Sequence, residues 1–182
     1  MTTAATPAPT TWKIDPVHSS VEFAVRHLMI TTVKGRFTGV SGSIRTDSDD
    51  AAKGEADITI DAATIDTREP QRDAHLKSPD FFDVEKFPTI AFKSTRLITA
   101  PDGSFALAGH LSMHGVTREV VLDVASEGRT KDPWGGERAG YSATTRIKRS
   151  DFGLTWNQAL ESGGFMVGDE IKITLDVQLI KQ

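Results

Sequence analysis

Apolar and polar residues alternate with a period of two over most of this chain. In the segment 20–27, Val21, Phe23 and Val25 alternate with polar or small residues. Other segments with the same alternation are 56–61, 90–93, 107–113, 120–124, 141–148 and 171–179. This pattern is typical of β-strands that have one buried face and one solvated face. The chain is therefore predicted to be all-β.

Short polar turns separate the strand-like segments. They are Ser48–Gly54, Ala100–Ser104, His114–Gly115 and Thr130–Gly140. Antiparallel neighbours with short connections favour a meander, and about eight strands close most economically into a barrel without exposed edges. The segment Val33–Ile44 changes face part of the way along, which predicts a bulge or a sharp bend. We expect a single barrel domain over residues 12–182.

One segment, Thr67–Pro88, departs from the strand pattern. Pro70 suits the first turn of a helix and Thr67 is a candidate cap, so a helix is predicted from there to Lys77. Aromatic residues follow it and would fill apolar space at the mouth of the barrel; they are Phe81, Phe82 and Phe87. The segment is therefore predicted to be a short helical lid.

The predicted helix would place Arg68, Arg72 and His75 on one face, with Asp73 paired to Lys77 four residues on. Guanidinium groups bind phosphate and carboxylate oxygens in a bidentate geometry, which suits an anionic or hydroxylated head group. A solvated helix whose charges pair with neighbouring loops accounts for the same residues. The sequence leaves both interpretations open.

The interior of the predicted barrel is either filled or hollow. Several of the supposed inward positions carry small residues: Ala56, Ala62, Ser94, Gly109, Ala143 and Thr145. A barrel of eight strands can fill itself with side chains or hold one small ligand. Small residues fit both a cavity and a tapered end, so the alternation alone does not decide between them.

Composition excludes several classes of protein. The chain of 182 residues has no cysteine, which excludes disulfides, thiolate metal sites and a cysteine nucleophile. A net charge of −4 gives no reason to expect a nucleic-acid surface, and the basic stretch Thr145–Asp151 is explained by a strand with a solvated polar face. Residues 1–11 are interpreted as a disordered tail rather than a signal peptide, and no apolar run suits a membrane helix. A soluble, cytoplasmic protein is expected.

Catalytic and metal-binding signatures are weak. There is no GxSxG or HExxH motif, and the spacing of the five histidines matches no zinc signature. We therefore expect no enzymatic activity, no cofactor and no metal. The alternatives are a metal-dependent hydrolase that uses His18, His27, Asp73 and His75, or a ligand-free, stress-associated interaction protein with a filled barrel.

Five stretches of the chain resemble the YceI family, in the same order. They are WKIDPVHSSVEFAVRHL (12–28), VKGRFTG (33–39), IDTREPQRDAHLKSPDFFDVEKFPTIAFKST (65–95), GHLSMHGVTREV (109–120) and IKRSDFGLTW (147–156). The resemblance implies a lipocalin-like, extended antiparallel β-barrel with a hydrophobic tunnel and no enzymatic activity. His110 and Ala63 depart from the family pattern, so the resemblance does not specify which isoprenoid or quinone this chain would bind.

The resemblance also implies a ligand, a polyisoprenoid or related amphipathic lipid of the isoprenoid quinone or polyprenyl phosphate type. It favours a hollow barrel and a role in transport, storage or sensing. Apolar residues expected to enclose the tail are Phe23, Val25, Ile58, Ile60, Phe81, Phe82, Phe92, Leu111, Leu122, Val124, Tyr141 and Ile147. The head group is expected near Arg68, Arg72, His75 and His27. The residues are also compatible with a homodimer through a sheet face.

Overall fold

The computed structural model describes residues 8–182, which contain eleven β-segments and one α-helix. The β-segments are β1 (Thr10–Ile14), β2 (Ser20–His27), β3 (Thr31–Phe37), β4 (Val40–Thr46), β5 (Glu55–Asp61), β6 (Ile65–Asp66), β7 (Thr89–Thr99), β8 (Phe105–Met113), β9 (Val116–Lys131), β10 (Glu137–Lys148) and β11 (Val167–Lys181). The helix is α1 (Pro70–Lys77), and short 3₁₀ turns occupy Ala51–Lys53, Ala62–Thr64 and Arg149–Phe152.

These segments form a closed antiparallel barrel of eight strands. The pairing runs β1-β4-β5-β7-β8-β9-β10-β11 and closes from β11 back to β1. Along β11, β1 pairs at residues 179–181 and β2 at residues 167–176, so these two segments lie end to end as one broken strand. The pairs β3–β4 and β5–β6 are broken strands of the same kind. The predicted barrel of about eight strands is confirmed.

The breaks in the strands occur where the apolar residues switch from one face of the strand to the other. The predicted bend within Val33–Ile44 lies at Thr38 and Gly39, between β3 and β4. Gly39 is required there, because a Cβ atom at this position would collide with the side chain of Thr64. At the amino end, Thr10 already belongs to β1, so the barrel begins two residues before the predicted boundary. Residues 1–7 of the predicted tail lie outside the described residues.

The lid helix has the predicted bounds but a different cap. The side chain of Glu69, not that of Thr67, accepts hydrogen bonds from the backbone amides of Gln71 (3.2 Å) and Arg72 (2.6 Å). Pro70 therefore occupies the first helical position, where its missing N–H costs nothing. Because the helix begins at Pro70, Arg68 lies outside it, and the predicted face of Arg68, Arg72 and His75 does not form.

The buried carboxylate of Asp15 lies in the break between β1 and β2. It bonds to strands β10 and β11 at the end of the barrel away from the lid. Asp15 Oδ2 accepts hydrogen bonds from Arg138 Nη1 (2.8 Å) and Gln178 Nε2 (3.2 Å), and it lies 2.8 Å from His18 Nδ1. The His18 contact is the main cause that lowers the pKa of Asp15 from 3.8 to about 2, with smaller contributions from the Val17 amide and Arg138, against a desolvation effect that raises it.

We predict that protonation of Asp15 lowers the free energy of unfolding in acid. A lowered pKa stabilises the fold fully above the unfolded value near 3.8, and that stabilisation is lost as the pH falls through about 2. Urea unfolding of the wild type should therefore lose stability over this interval, and the slope should be smaller for Asp15→Asn. The matched control Asp123→Asn changes an exposed residue of β9 and should keep the wild-type slope. An unchanged slope in Asp15→Asn would contradict the assignment.

Candidate ligand-binding site

Two apolar cavities lie along the inside of the barrel. The lid cavity has a volume of about 120 Å³, and the distal cavity about 70 Å³. Predicted residues at the lid cavity are Phe23, Val25, Phe81, Phe82, Leu111 and Ile147. Those at the distal cavity are Ile58, Leu122, Val124 and Tyr141. Both walls are almost wholly apolar, so the interior suits a hydrocarbon chain.

Phe92 and Ile60, also predicted to face inward, lie where the two cavities meet. Ile60 pairs with Ile90 of the lid cavity, whereas Phe92 pairs with Ile58 of the distal cavity. The ring of Phe92 occupies the space left by Gly109, since a Cβ atom at position 109 would collide with it. Phe92 is buried and belongs to the central apolar cluster. This ring therefore lies between Ile58, which lines the distal cavity, and Leu111, which lines the lid cavity.

Larger concavities lie on the outside of the barrel. One of about 500 Å³ is lined by apolar residues such as Ile98 and Phe105 together with the outward-facing Asp123, Ser142 and Thr144. Another, of about 410 Å³, is lined by polar residues of β2 and β3 and by Arg68. Because they are open and partly polar, these depressions would leave an apolar chain in water. The interior is the better candidate site.

Aromatic side chains hold the lid over its cavity. The ring of Phe82 packs edge-on against Phe37 at 5.8 Å between centroids, and Phe37 contacts Phe23 of β2 at 5.7 Å. Phe81 is buried against Trp156 at 5.3 Å. Phe87 lies elsewhere, beside the His114–Gly115 turn, and does not line the cavity. The lid is thus attached by apolar packing that a ligand could displace.

Polar contacts fix the start of the lid. The hydroxyl group of the buried Thr67 donates to Asp73 Oδ1 at 2.5 Å, and the Thr67 amide donates to the same oxygen at 2.9 Å. Arg72 donates through Nε to Thr67 Oγ1 (2.8 Å) and through Nη2 to the Thr67 carbonyl (3.0 Å). The predicted Asp73–Lys77 pair is wrong, because Asp73 turns back to Thr67.

The remaining predicted head-group residues do not converge. His75 packs edge-on against Trp156 and lies 2.8 Å from Asp80 Oδ2 through Nε2. Arg68 is exposed and lines the outer depression beside Arg36. His27 ends β2 and is half-buried. None of these side chains, nor that of Arg72, forms part of either cavity wall.

Sequence reasoning missed Arg149. The basic stretch Thr145–Asp151 predicts a solvated face, yet only 5% of Arg149 is exposed, and the residue forms part of the lid cavity wall. Its guanidinium donates to the carbonyls of four residues: Leu154 (2.8 Å), Trp156 (2.9 Å), Val167 (3.3 Å) and Gly168 (2.9 Å). Burial lowers the pKa of Arg149, and Asp169 opposes this shift. The residue anchors the loop between the 3₁₀ turn and β11.

The four residues of the hydrolase alternative are dispersed. His18 contacts Asp15, Asp73 contacts Thr67, and His75 contacts Asp80. Across residues 8–182, no three His, Asp or Glu side chains form a group that could hold a metal ion. The same residues contain no helix long and apolar enough to cross a bilayer.

Comparison with known proteins identifies a consistent set of relatives. The family model for the YceI-like domain matches residues 12–179. A UPF0312 protein of Serratia proteamaculans is 39% identical over 146 residues, covering 79% of this chain and 76% of the relative. The crystal structure of a Campylobacter jejuni YCEI protein superposes with a TM-score of 0.71 at 32% identity, covering 86% of this chain and 90% of that one. A polyisoprenoid binding domain from Saccharophagus degradans shares the fold, with a TM-score of 0.67 at 16% identity over 94% of this chain and 98% of that domain.

Proposed function

This chain belongs to the YceI-like domain family, and from that premise we propose that it binds a polyisoprenoid or related amphipathic lipid inside its barrel. The observation that carries the proposal is the pair of apolar cavities stacked under the aromatic lid. A flexible hydrocarbon chain is the ligand that such a narrow, apolar interior accommodates. The polyisoprenoid binding domain of Saccharophagus degradans has the same fold, which supports this class of ligand.

Binding requires the interior to enlarge. Ligand pockets typically measure about 300–1,000 Å³, and each cavity here is smaller, at about 120 and 70 Å³. The Phe92 ring and the lid aromatics are the parts that must move, because they divide and cover the space. Burial of a hydrocarbon tail supplies about 25 cal/mol per Å² of apolar area, which offsets the cost of that movement.

The head group is proposed to stay at the lid end. Polar groups that could meet it are the half-exposed His75 and Asp80 and the exposed Arg72. In their present contacts these groups bond to one another and to Thr67. Recognition of the head group would therefore require the lid to shift, while the tail would be held without specific polar contacts. Affinity is expected to depend more on the tail than on the head.

We predict that filling the lid cavity weakens tail binding. Leu111→Trp places a larger ring in the cavity wall, and overpacking of this kind costs about 1–3 kcal/mol, so affinity for a polyprenyl phosphate should fall about tenfold or more. The matched control His110→Trp changes the neighbouring exposed residue of β8 and should bind like the wild type. Native mass spectrometry of the purified protein, followed by lipid extraction, measures the bound lipid and its stoichiometry.

Two results would contradict the proposed function. A bare chain mass that persists after incubation with polyprenyl phosphate and with an isoprenoid quinone would favour the ligand-free interpretation. Equal binding by Leu111→Trp and the wild type would place the lipid outside the barrel. Circular dichroism and thermal unfolding of each variant exclude loss of the fold as the cause.

A further inference from the structure

The turn between β2 and β3 has an unusual sequence for its geometry. Leu28 and Met29 both have positive φ angles, 50° and 61°, and the amide of Ile30 donates to the His27 carbonyl at 3.1 Å. Leu28 and Met29 are therefore the two central residues of a β-turn over His27–Ile30, within the three-residue connection between β2 and β3. Two successive left-handed positions of this kind favour Asn-Gly, because left-handed backbone is unfavourable for residues with a Cβ atom. Two large apolar residues therefore occupy positions where stability alone would favour small polar ones.

The same turn exposes its apolar side chains. The exposed fractions are 36% for Leu28, 63% for Met29 and 72% for Ile30, and the nearby Phe165 is 58% exposed. The Leu28 amide donates to the Met166 carbonyl at 2.7 Å, and the Met29 sulfur lies against Gly164, so the two loops form one surface. We call Leu28, Met29, Ile30 and Phe165 the apolar tip.

The apolar tip stands at the lid end of the barrel. It connects directly to strands whose residues line the lid cavity, through Val25 on β2 and Val167 on β11. These two residues lie three positions before Leu28 and two positions after Phe165, respectively. A hydrocarbon chain that entered the lid cavity would pass close to the tip.

Positive charge flanks the tip on the outer face of the barrel. Arg26 reaches the turn itself, where Nη2 donates to the Met29 carbonyl at 3.1 Å. Across the sheet, Arg146 pairs in register with Lys172, Lys172 with Ala24, and Ala24 with Lys34. We call Arg26, Lys34, Arg146, Lys148 and Lys172 the basic face.

Most of this charge is not neutralised by neighbouring carboxylates. Arg146 pairs with Glu170, but within residues 8–182 no carboxylate lies within ion-pair distance of the other four cations of the basic face. The exposed acids nearest the tip in sequence are Glu161 and Asp169, each four residues from Phe165, followed by Glu170. The region therefore combines protruding apolar side chains with a net positive flank, a combination typical of proteins that bind anionic membrane surfaces.

We propose that the lid end docks on an anionic lipid bilayer, with the apolar tip inserted among the acyl chains and the basic face against the headgroups. This inference deepens the proposed function, since the bilayer is the phase in which an isoprenoid lipid dissolves. Docking would place the lid cavity over the membrane, so that a tail could pass between bilayer and barrel without entering water. The strained turn is then explained by its role at the membrane.

The first test is binding of the full chain to vesicles of phosphatidylcholine alone and of phosphatidylcholine with about one third phosphatidylglycerol. We expect co-sedimentation with the anionic vesicles, weakened by salt because exposed charges are screened. No binding to anionic vesicles at low salt would overturn the proposal. Equal binding to both kinds of vesicle would overturn the part assigned to the basic face.

The sharpest variant is Leu28→Asn with Met29→Gly. It installs the residues that the turn geometry favours, so we expect its Tm to rise by roughly 2–6 °C. It also removes two apolar side chains from the tip, so vesicle partitioning, which depends on the apolar area buried in the bilayer, should fall about tenfold or more. A more stable protein that binds vesicles less cannot be explained by unfolding. Unchanged partitioning would overturn the role of the tip.

Two matched controls locate the effect. Trp134→Ser removes an exposed apolar side chain, 88% exposed, from the β9–β10 turn at the opposite end, and it should leave vesicle binding unchanged. Lys34→Glu with Lys172→Glu should weaken binding to anionic vesicles at least tenfold. Lys53→Glu with Lys131→Glu makes the same change of charge at exposed residues away from the tip and should have little effect. Equal losses in the two charge variants would overturn the assignment to this face.

The outcome for docking can be separated from that for the proposed function. Lipid binding is measured with polyprenyl phosphate added from solvent without vesicles, and the tip variant should bind it like the wild type. A wild type that binds this lipid but not anionic vesicles would overturn docking alone. One that binds the vesicles but no isoprenoid lipid would support docking and contradict the proposed function.

Discussion

Replacing Arg149 with alanine is expected to lower the free energy of unfolding by about 3–5 kcal/mol. Two of the four carbonyls that accept its hydrogen bonds belong to the start of the loop after the 3₁₀ turn, and two belong to the start of β11. A buried acceptor that loses its partner costs about 1–3 kcal/mol, and neighbouring losses do not simply add. Because folded proteins are stable by only about 5–15 kcal/mol, this one change threatens the fold. Urea unfolding measures it.

Two further variants identify the cause of that loss. Arg149→Lys keeps the charge but replaces the planar guanidinium with a single ammonium group, which cannot reach four carbonyls; most of the loss should remain. Arg146→Ala removes an arginine from the same stretch, but one that is exposed and paired with Glu170, so it should cost about 0–1 kcal/mol. Full stability in Arg149→Lys would show that charge, rather than the hydrogen bonds, is what the loop requires.

The barrel and its lid were predictable because their signals are local. The alternation along β2, β8 and β11 indicates that one face of each strand is buried, and the turn residues indicate where each strand ends. Pro70 likewise marks the start of a helix within a few residues. Side chains of alternating segments, such as Phe23 and Leu111, accordingly face the interior as expected.

Arg149 was not predictable in this way. Its stretch has the same basic composition as the exposed Arg146 and Lys148, so nothing local distinguishes it. Its burial depends on a loop without periodicity that returns to it, with partners 5 to 19 residues away. The family-like stretch IKRSDFGLTW contained the residue, but only the folded loop shows which side chain is enclosed.

The positions of the polar side chains in the lid depend on one feature of the backbone, the residue at which helix α1 begins. Helical spacing would have brought Arg68 next to Arg72, but the helix begins after Arg68, whose φ of 61° is left-handed. Thr67 has the type of side chain preferred at a cap, but Glu69 caps the helix instead, which leaves Thr67 to bond with Asp73 and Arg72. Such a choice is settled by tertiary packing, which no short window of sequence contains.

Replacing Phe92 with alanine is expected to change which lipids the barrel accepts. The ring lies between the lid cavity and the distal cavity, so its removal would join them into one tunnel. In the wild type, a long tail must displace this ring before it reaches the distal cavity, whereas in the variant that cost disappears. Affinity for long-chain polyprenyl phosphates should therefore rise about tenfold relative to short ones, since 1.4 kcal/mol is a factor of ten.

The Phe92→Ala substitution also lowers the stability of the fold, and this makes the test specific. Truncation of a buried phenylalanine destabilises a protein by about 3–5 kcal/mol, so a general loss of packing would weaken binding of every chain length. A gain restricted to long chains has no such explanation. Phe92→Leu should show a smaller gain, and Phe87→Ala, which removes a ring outside both cavities, should leave the length dependence unchanged. The length dependence is measured by dissociation constants for a series of lipids that have the same head group and tails of different length. If the wild type and Phe92→Ala show the same dependence on length, the tail does not extend past this ring.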